Sequence, residues 1–150
     1  MNLYELLHDD HERVKRLFRE IEATAEIENT RREQLFSTLY REMDLHSQAE
    51  EKFFYPRLKN EEETRGIILE SFDEHKHIKK LLDDLDTMDK GSPEWTAKLR
   101  TLRESVDNHV REEEYELFPR AKMVLDDDES DGISDDIETF KEEHTELESY

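Results

Sequence analysis

The sequence predicts an all-α protein, an up-down-up-down four-helix bundle with a short additional C-terminal helix. Three observations carry this prediction. The 150 residues include only three glycines and three prolines, so little interrupts long helices. Apolar residues recur at the three- and four-residue spacing of a helix face. The pattern of the first half is also repeated in the second, as in paired helical units that pack on each other.

Four long helices follow from these stripes, over roughly residues 3–27, 31–59, 63–89 and 93–124. Thr30 and Glu33 have the spacing of a capping box at the start of the second helix. Ser92 before Pro93 has the chemistry of an N-cap followed by a first helical residue. A proline follows each half of the repeat and is expected to kink or end its helix there: Pro56 and Pro119.

The chain is predicted to divide into two parts, a bundle of residues 1–125 and a tail of residues 126–150. Residues 126–131 carry five acidic side chains and one serine, so they are expected to form a solvated linker. Ser134 is a candidate N-cap for the short fifth helix. An apolar stripe that ends at Leu147 favours packing of this helix on the bundle over fraying.

The composition excludes several classes of partner and site. A net charge of −20 argues against nucleic acid and anionic membranes as partners. The lack of cysteine excludes disulfides, thiolate metal sites and thiol catalysis. No apolar run reaches the roughly 18 residues of a membrane span, and the first residues do not have the pattern of a signal peptide. A cytoplasmic protein is expected, and its oligomeric state is not predicted.

Four histidines and two glutamates form one pattern that is written twice along the chain. Each copy has a single histidine, followed in the next helix by a His-x-x-x-Glu motif. Both parts recur at nearly the same offset, which acid-rich composition does not easily produce by chance. The residues are His11, His46 and Glu50 in the first copy, and His75, His109 and Glu113 in the second.

All six residues fall on core-facing stripes, and the helix lengths bring them to one level of the bundle. A lone buried histidine usually pairs structurally with a carboxylate, but six polar groups in one layer need a cation. Imidazoles and carboxylates suit iron, manganese, zinc or nickel, whereas four nitrogens are too many for magnesium or calcium. The repeat predicts two metals: one on His11 and His46, one on His75 and His109, with Glu50 and Glu113 as bridges.

The surrounding residues make four extended motifs. They are Asp-His-x-x-Val-x-x-Leu-Phe at His11, His-x-x-x-Glu-Glu-x-x-Phe-Tyr-Pro at His46, Glu-His-x-x-Ile-x-x-Leu-Leu at His75, and His-x-x-x-Glu-Glu-x-x-Leu-Phe-Pro at His109. Over roughly residues 3–124 the chain resembles the hemerythrin-like, or HHE cation-binding, domain. The resemblance implies a four-helix bundle with two non-haem iron ions, joined by a bridging oxo or hydroxo group. It implies the same six ligands, and O₂, NO or peroxide as the small ligand.

The chain departs in two ways from the oxygen-carrying members of this family, and both departures bear on its expected function. Those carriers have a further histidine on the third helix, whereas Ser71 and Lys79 stand four residues from His75 here. Their bridging carboxylate on the fourth helix is an aspartate five residues after the histidine, whereas Glu113 stands four residues after it. Both departures argue against reversible oxygen carriage and fit members that sense, store or turn over small oxidants.

Three functions of different classes stay open at this point. The first is a binding and sensing module for O₂ or NO. The second is an enzyme that turns over peroxide or NO at the same site. The third is a helical interaction protein with a zinc-filled site. The sequence favours the first narrowly over the second.

The remaining histidines and the tyrosines are secondary candidates. His8 could supply a fifth nitrogen or an outer contact, although solvation is the more common role. His77 is expected to be solvated, and His144 would reach the metals only if the fifth helix covered them. Pocket or redox roles were considered for four tyrosines, with core packing preferred for each: Tyr4, Tyr40, Tyr55 and Tyr115.

Overall fold

The structure, a computed structural model, describes residues 1–148 and confirms the all-α class. Four long helices form the bundle, α1 pairing with α2 and α3 with α4: α1 Leu3–Glu22, α2 Asn29–Ala49, α3 Arg65–Thr87 and α4 Pro93–Glu112. Two more helices follow, α5 Phe118–Val124 and α6 Asp127–Glu148. None of the helices in this described part is long and apolar enough to cross a bilayer.

The helix starts depend on side-chain caps at two of the four bundle helices. Asn2 caps α1 by accepting hydrogen bonds from the amides of Tyr4 and Glu5. Ser92 caps α4, as its sequence predicts, and accepts from the amide of Trp95 at 3.1 Å. The predicted capping box at Thr30 is wrong, because α2 already begins at Asn29 and has no side-chain cap.

Both motif helices continue into a π-helical segment that the sequence did not predict. These segments cover Glu50–Phe54 and Glu113–Leu117, and each begins at the glutamate of a motif. A proline follows at the same offset in both, and proline lacks an N–H and clashes with the carbonyl four residues earlier. A wider π turn relieves that clash. The chain then leaves the helix after Tyr55–Arg57, a 3₁₀ turn, but continues as α5 after the second segment.

The predicted acidic linker at residues 126–131 is wrong. Asp126 and Glu129 cap α6 reciprocally, since the amide of Glu129 donates to Asp126 Oδ1 at 2.8 Å and the amide of Asp126 to Glu129 Oε1 at 3.2 Å. Acidic side chains in the first turn also complement the helix dipole. Ser134 therefore lies inside the helix and donates to the carbonyl of Met1 at 2.6 Å. At 22 residues, α6 is not the short helix that was expected.

The C-terminal helix packs on the bundle, as its apolar stripe predicts. Ile133, Ile137 and Phe140 are buried in a cluster with the start of α1 and the segments that follow α2 and α4. The side chain of Leu147 and residues 149–150 lie outside the described part. The division at residue 126 stays a prediction, although α6 shares its core with the bundle.

The core consists of two apolar clusters with a polar layer between them. One cluster fills the end of the bundle near the α1–α2 and α3–α4 turns, and includes Phe36 and Trp95. The other fills the opposite end and includes Phe54 and Ile137. Buried histidines and glutamates occupy the level between them. The fold thus sets charged groups at the centre of an otherwise apolar interior.

Candidate metal centre

The polar layer contains all six of the residues that the repeat singles out. Each is at most 9% exposed. One group of potential ligand atoms, all within 4.8 Å of one another, comes from His11, His46, Glu50 and Glu113. A second group, which shares Glu50 with the first, adds His75 and His109. The structure therefore brings together the two predicted halves, and ligation by these residues stays a prediction.

The two carboxylates each face both halves of the layer. Glu50 Oε1 lies 3.2 Å from His46 Nε2 and 3.3 Å from His75 Nε2. Glu113 Oε1 lies 3.3 Å from Nε2 of His11, and its Oε2 lies 3.4 Å from Nε2 of His109. Two ligands about 2.1 Å from one metal and at right angles are about 3 Å apart. The spacing matches a shared coordination shell, with the glutamates in bridging positions.

Several of these inward-facing atoms are buried without a hydrogen-bond partner. They are His11 Nε2, His46 Nε2, Glu50 Oε2 and Glu113 Oε1. A buried polar group left unsatisfied costs about 1–3 kcal/mol, and more if it is charged. Four such atoms on adjacent side chains are hard to reconcile with a purely structural cluster. A cation held by these four side chains would satisfy them, so they fit a metal site. In the other half, the Nε2 atoms of His75 and His109 lie 3.2 Å apart.

A second ring of carboxylates holds the outer nitrogen of each imidazole. The Nδ1–H of each histidine donates to an acid at 2.6–3.0 Å, in the pairs His11–Glu114, His46–Asp10, His75–Glu51 and His109–Glu74. This arrangement fixes the tautomer that leaves Nε2 free to bind metal. None of these four carboxylates is predicted from the sequence. Their signal was present, because each is either the second Glu of a motif or the acid just before a single histidine.

The ring of Tyr55 packs in the apolar cluster, as expected, and its hydroxyl reaches into the polar layer. Its hydroxyl is 2.6 Å from Glu113 Oε2, 3.1 Å from Glu50 Oε1 and 3.3 Å from His75 Nε2. Burial raises the pKa of the Tyr55 phenol well above its ordinary value, and the adjacent carboxylates raise it further. The hydroxyl therefore stays protonated and points a donor between the two bridging carboxylates.

Carboxylates that contact the imidazoles shift their pKa values upward against the effect of burial. Burial alone would lower the pKa of His46, but Glu50 and Asp10 outweigh it and raise this pKa to about 10. The pKa values of the other three imidazoles are also raised, because their carboxylate partners outweigh burial: His11, His75 and His109. Without metal, the carboxylates therefore favour protons on these imidazoles, and cations compete with those protons for the ring nitrogens.

The secondary histidines lie outside the inner layer. His8 is about half exposed and bonds Glu114 at 2.8 Å, so it contacts the carboxylate behind His11. His77 is exposed, as expected. His144 bonds the carbonyl of Phe140 on its own helix at 2.8 Å.

The two positions that could have supplied a further imidazole carry other groups. Ser71 is buried but has no imidazole to offer. Lys79 bonds the hydroxyl of Tyr40 at 2.5 Å and Asp44 at 3.3 Å on the outer side of the bundle. The structure thus gives each half two imidazoles, as the repeat predicts.

A small cavity adjoins the imidazole side of the layer. It has a volume of about 20 Å³ and is lined by the four imidazoles, Ser47 and five apolar side chains: Val14, Met43, Ile78, Val106 and Val110. This space holds one molecule about the size of water.

A third group of acids lies on the outer side of His109. One carboxylate oxygen each of Glu70, Glu74 and Glu112 lies within 4.8 Å of the others. Partial burial, and after it the nearby Glu74 and Glu70, raise the pKa of Glu112 to about 7. The surroundings of His109 are therefore strongly acidic.

Residues 2–121 match the family model described as Hemerythrin HHE cation binding domain. A crystal structure of a hemerythrin HHE cation binding domain-containing protein from Mycobacterium kansasii has a similar fold. The TM-score is 0.79 at 22% identity, covering 95% of this chain and 89% of that one. A DNA nickase from Nostoc sp. (strain PCC 7120) is 27% identical over 141 residues, which are 94% of this chain. The chain spans only 39% of that relative.

Proposed function

Since the chain belongs to the hemerythrin HHE cation-binding family, we propose that it is a non-haem di-iron protein that binds, senses or reacts with O₂, NO or peroxide. The observation that carries the proposal is the buried layer of four imidazoles and two carboxylates, in which four ligand atoms around His11 and His46 have no hydrogen-bond partner. His11, His46, Glu50, His75, His109 and Glu113 would hold the metals. Bound iron would supply the electrons and open coordination positions that these small molecules need.

The donor set supports iron over the other candidates. Each half offers two imidazole nitrogens together with carboxylate oxygens, a mixture that suits iron or manganese. Structural zinc sites are typically closed by four protein ligands, often with cysteine, which this chain lacks. The zinc-filled interaction protein is therefore the weakest of the three readings. Metal analysis of protein expressed with iron tests it, and one zinc and no iron would support it.

The residues around the layer suit a small ligand that must be shielded from water. The apolar side chains of the cavity exclude solvent from the imidazole side. The second ring of carboxylates keeps the four rings in place while a ligand arrives. The cavity volume of about 20 Å³ is that of one small molecule, which suits a diatomic ligand better than a larger organic substrate. These features support the binding and sensing reading.

Reaction of the reduced protein with O₂ tests this function. We expect metal analysis to find about two irons per chain, since the ligands form two linked sets. Stopped-flow spectra should show rapid oxidation, because neither half has a third imidazole to restrict access. A spectrum that lasts for hours and reverts under vacuum would instead indicate a reversible carrier.

The hydroxyl of Tyr55 favours peroxide turnover as a second candidate. Disproportionation of peroxide to water and O₂ needs protons at the centre but no outside electron donor. Tyr55 holds a proton 2.6 Å from Glu113 Oε2, inside the buried layer. General acids contribute about 10²–10⁴-fold to such reactions.

Replacing Tyr55 by phenylalanine separates these two candidates. If the protein turns over peroxide, Tyr55→Phe should slow oxygen evolution at least about tenfold, with iron content kept. Tyr40→Phe is the matched control, because the Tyr40 hydroxyl bonds Asp83 at the surface. Equal rates in wild type and Tyr55→Phe would contradict the role of this hydroxyl. No oxygen evolution from the iron-loaded wild type would leave the sensing function alone.

DNA nicking, the activity named for the Nostoc relative, is not proposed for this chain. The net charge of −20 repels a phosphate backbone, whereas DNA-binding surfaces neutralise it with lysine and arginine. The chain also corresponds to only 39% of that relative, whose name describes the whole of that longer protein.

A further inference from the structure

The two halves of the candidate centre have matching inner residues but different charges behind them. Asp10, the carboxylate that holds His46 at 2.7 Å, is 3% exposed. Its Oδ1 pairs with Arg13 and its Oδ2 with Lys141. Two positive charges therefore meet the carboxylate behind His46.

Lys141 reaches Asp10 because α6 docks on the bundle beside it. The preceding residue, Phe140, packs edge-on against Phe53 with ring centroids 5.7 Å apart. Ile137, one turn earlier, is fully buried. The lysine side chain is 21% exposed, so its charge is only partly screened by water. The packing of α6 thus places the positive charge of Lys141 beside one half of the centre.

The corresponding carboxylate of the other half lies among acids. Glu74 holds His109 at 2.9 Å, and Glu70 and Glu112 group with it. The ion pair of Glu74 is with Nδ1 of His109. The same position in the repeat therefore carries positive charge on the His46 side and added negative charge on the His109 side.

We propose that Lys141 makes the halves of the centre unequal toward metal, so that the His75/His109 half fills first and the His11/His46 half fills more weakly. The inference rests on the proposed dinuclear centre. A positive charge behind one imidazole repels a divalent ion bound to the other nitrogen of that ring. At an effective dielectric constant between protein and water, one such charge changes affinity by about tenfold. The same field favours the more oxidised ion in the His75/His109 half.

Cobalt(II) binding to the metal-free full-length protein tests the inference. We expect the wild type to take up Co²⁺ in two steps when it competes with a chelator. Crystals loaded with one equivalent should give anomalous signal mainly between His75 and His109. Lys141→Met, which keeps length but removes charge, should tighten the weaker step about tenfold and even out the two occupancies. Lys141→Arg should restore the wild-type difference.

The direction in which Lys141→Met changes Co²⁺ affinity separates an electrostatic role of Lys141 from a structural one. If Lys141 only fastened α6, Lys141→Met would loosen the site and weaken Co²⁺ binding. The matched control is Lys52→Met. The Nζ atom of Lys52 lies 4.7 Å from the ring centroid of Phe140 in α6, but its charge is not paired with Asp10. Both Co²⁺ affinities should stay at wild-type values in that variant.

Three results would overturn the inference. If the weaker Co²⁺ binding step has the same or a lower affinity in Lys141→Met than in the wild type, the proposed role of the charge is excluded. Equal occupancy of the two halves in the wild type would also exclude it, while the dinuclear centre would stand. A capacity of one Co²⁺ per wild-type chain would contradict the dinuclear centre itself, and the inference with it.

Discussion

Replacing Glu113 by alanine is expected to leave the protein with little of its metal. The carboxylate faces both halves, since Oε1 lies 3.3 Å from His11 Nε2 and Oε2 lies 3.4 Å from His109 Nε2. Its loss removes an oxygen from each half and leaves Glu50 as the sole inner carboxylate. Replacing a residue that only hydrogen-bonds to a metal ligand typically lowers metal affinity 10–100-fold, and loss of a ligand itself should lower it further. Iron analysis after gel filtration with a chelator measures the loss.

The chain contains a close control for this substitution. Glu116 lies in the same π-helical segment, Glu113–Leu117, but its side chain is exposed. Glu116→Ala should therefore keep the full metal content, as should His77→Ala. If Glu113→Ala retained both metals while either control lost them, the assignment of ligands along the helices would be wrong.

Removal of metal is expected to lower the melting temperature by about 10 °C. A cation that binds only the folded state contributes its binding free energy to folding, about 4 kcal/mol at a thousandfold excess over Kd. For a chain of this length, each kcal/mol shifts the melting temperature by about 2–4 °C. Calorimetry of loaded and chelator-treated protein measures the difference. Identical melting curves would contradict a metal centre that supports the fold.

The size of this effect should depend on pH. In the metal-free protein, protons on the imidazoles partly replace the cations. The pKa of His46 is raised to about 10 in the folded state, against about 6.5 in an unfolded chain. The stabilisation by this proton is therefore complete below about pH 6.5 and is lost as the pH rises through the folded pKa. The gap between loaded and metal-free protein should widen over that range.

The Glu113→Ala variant provides the control for the melting experiment. Because it should hold little metal, chelator treatment should shift its melting temperature far less than that of the wild type. A shift of the wild-type size in this variant would mean that the chelator acts at some other place on the protein.

Repetition identified the six candidate ligands at the level of the sequence. Helical spacing places His46 and Glu50 one turn apart on one face, and the same spacing recurs at His109 and Glu113. Helix periodicity and helix length are local properties, so they can be predicted without the tertiary structure. The bundle class, the cap at Ser92 and the common level of the six residues followed from them.

The tertiary structure decided what lies around that set. The hydroxyl of Tyr55 contacts Glu113, which lies 58 residues away along the chain, so only the packing of the helices places it in the layer. The outer carboxylates bind rings on other helices, such as Glu114 on His11, so their pairing depends on how the helices are arranged. An acidic stretch that reads as a linker became a capped helix once it could bury Ile137.

The contact of Lys141 with Asp10 is the clearest example of a feature that the sequence does not predict. Lys141 lies 131 residues from Asp10, and no local pattern links the two. Docking of α6 creates their contact and makes two nearly identical halves electrostatically different. The sequence by itself determined which residues repeat, because periodicity is a property of neighbours along the chain. Only the tertiary structure decided how the copies differ, because charge acts between groups that folding brings together.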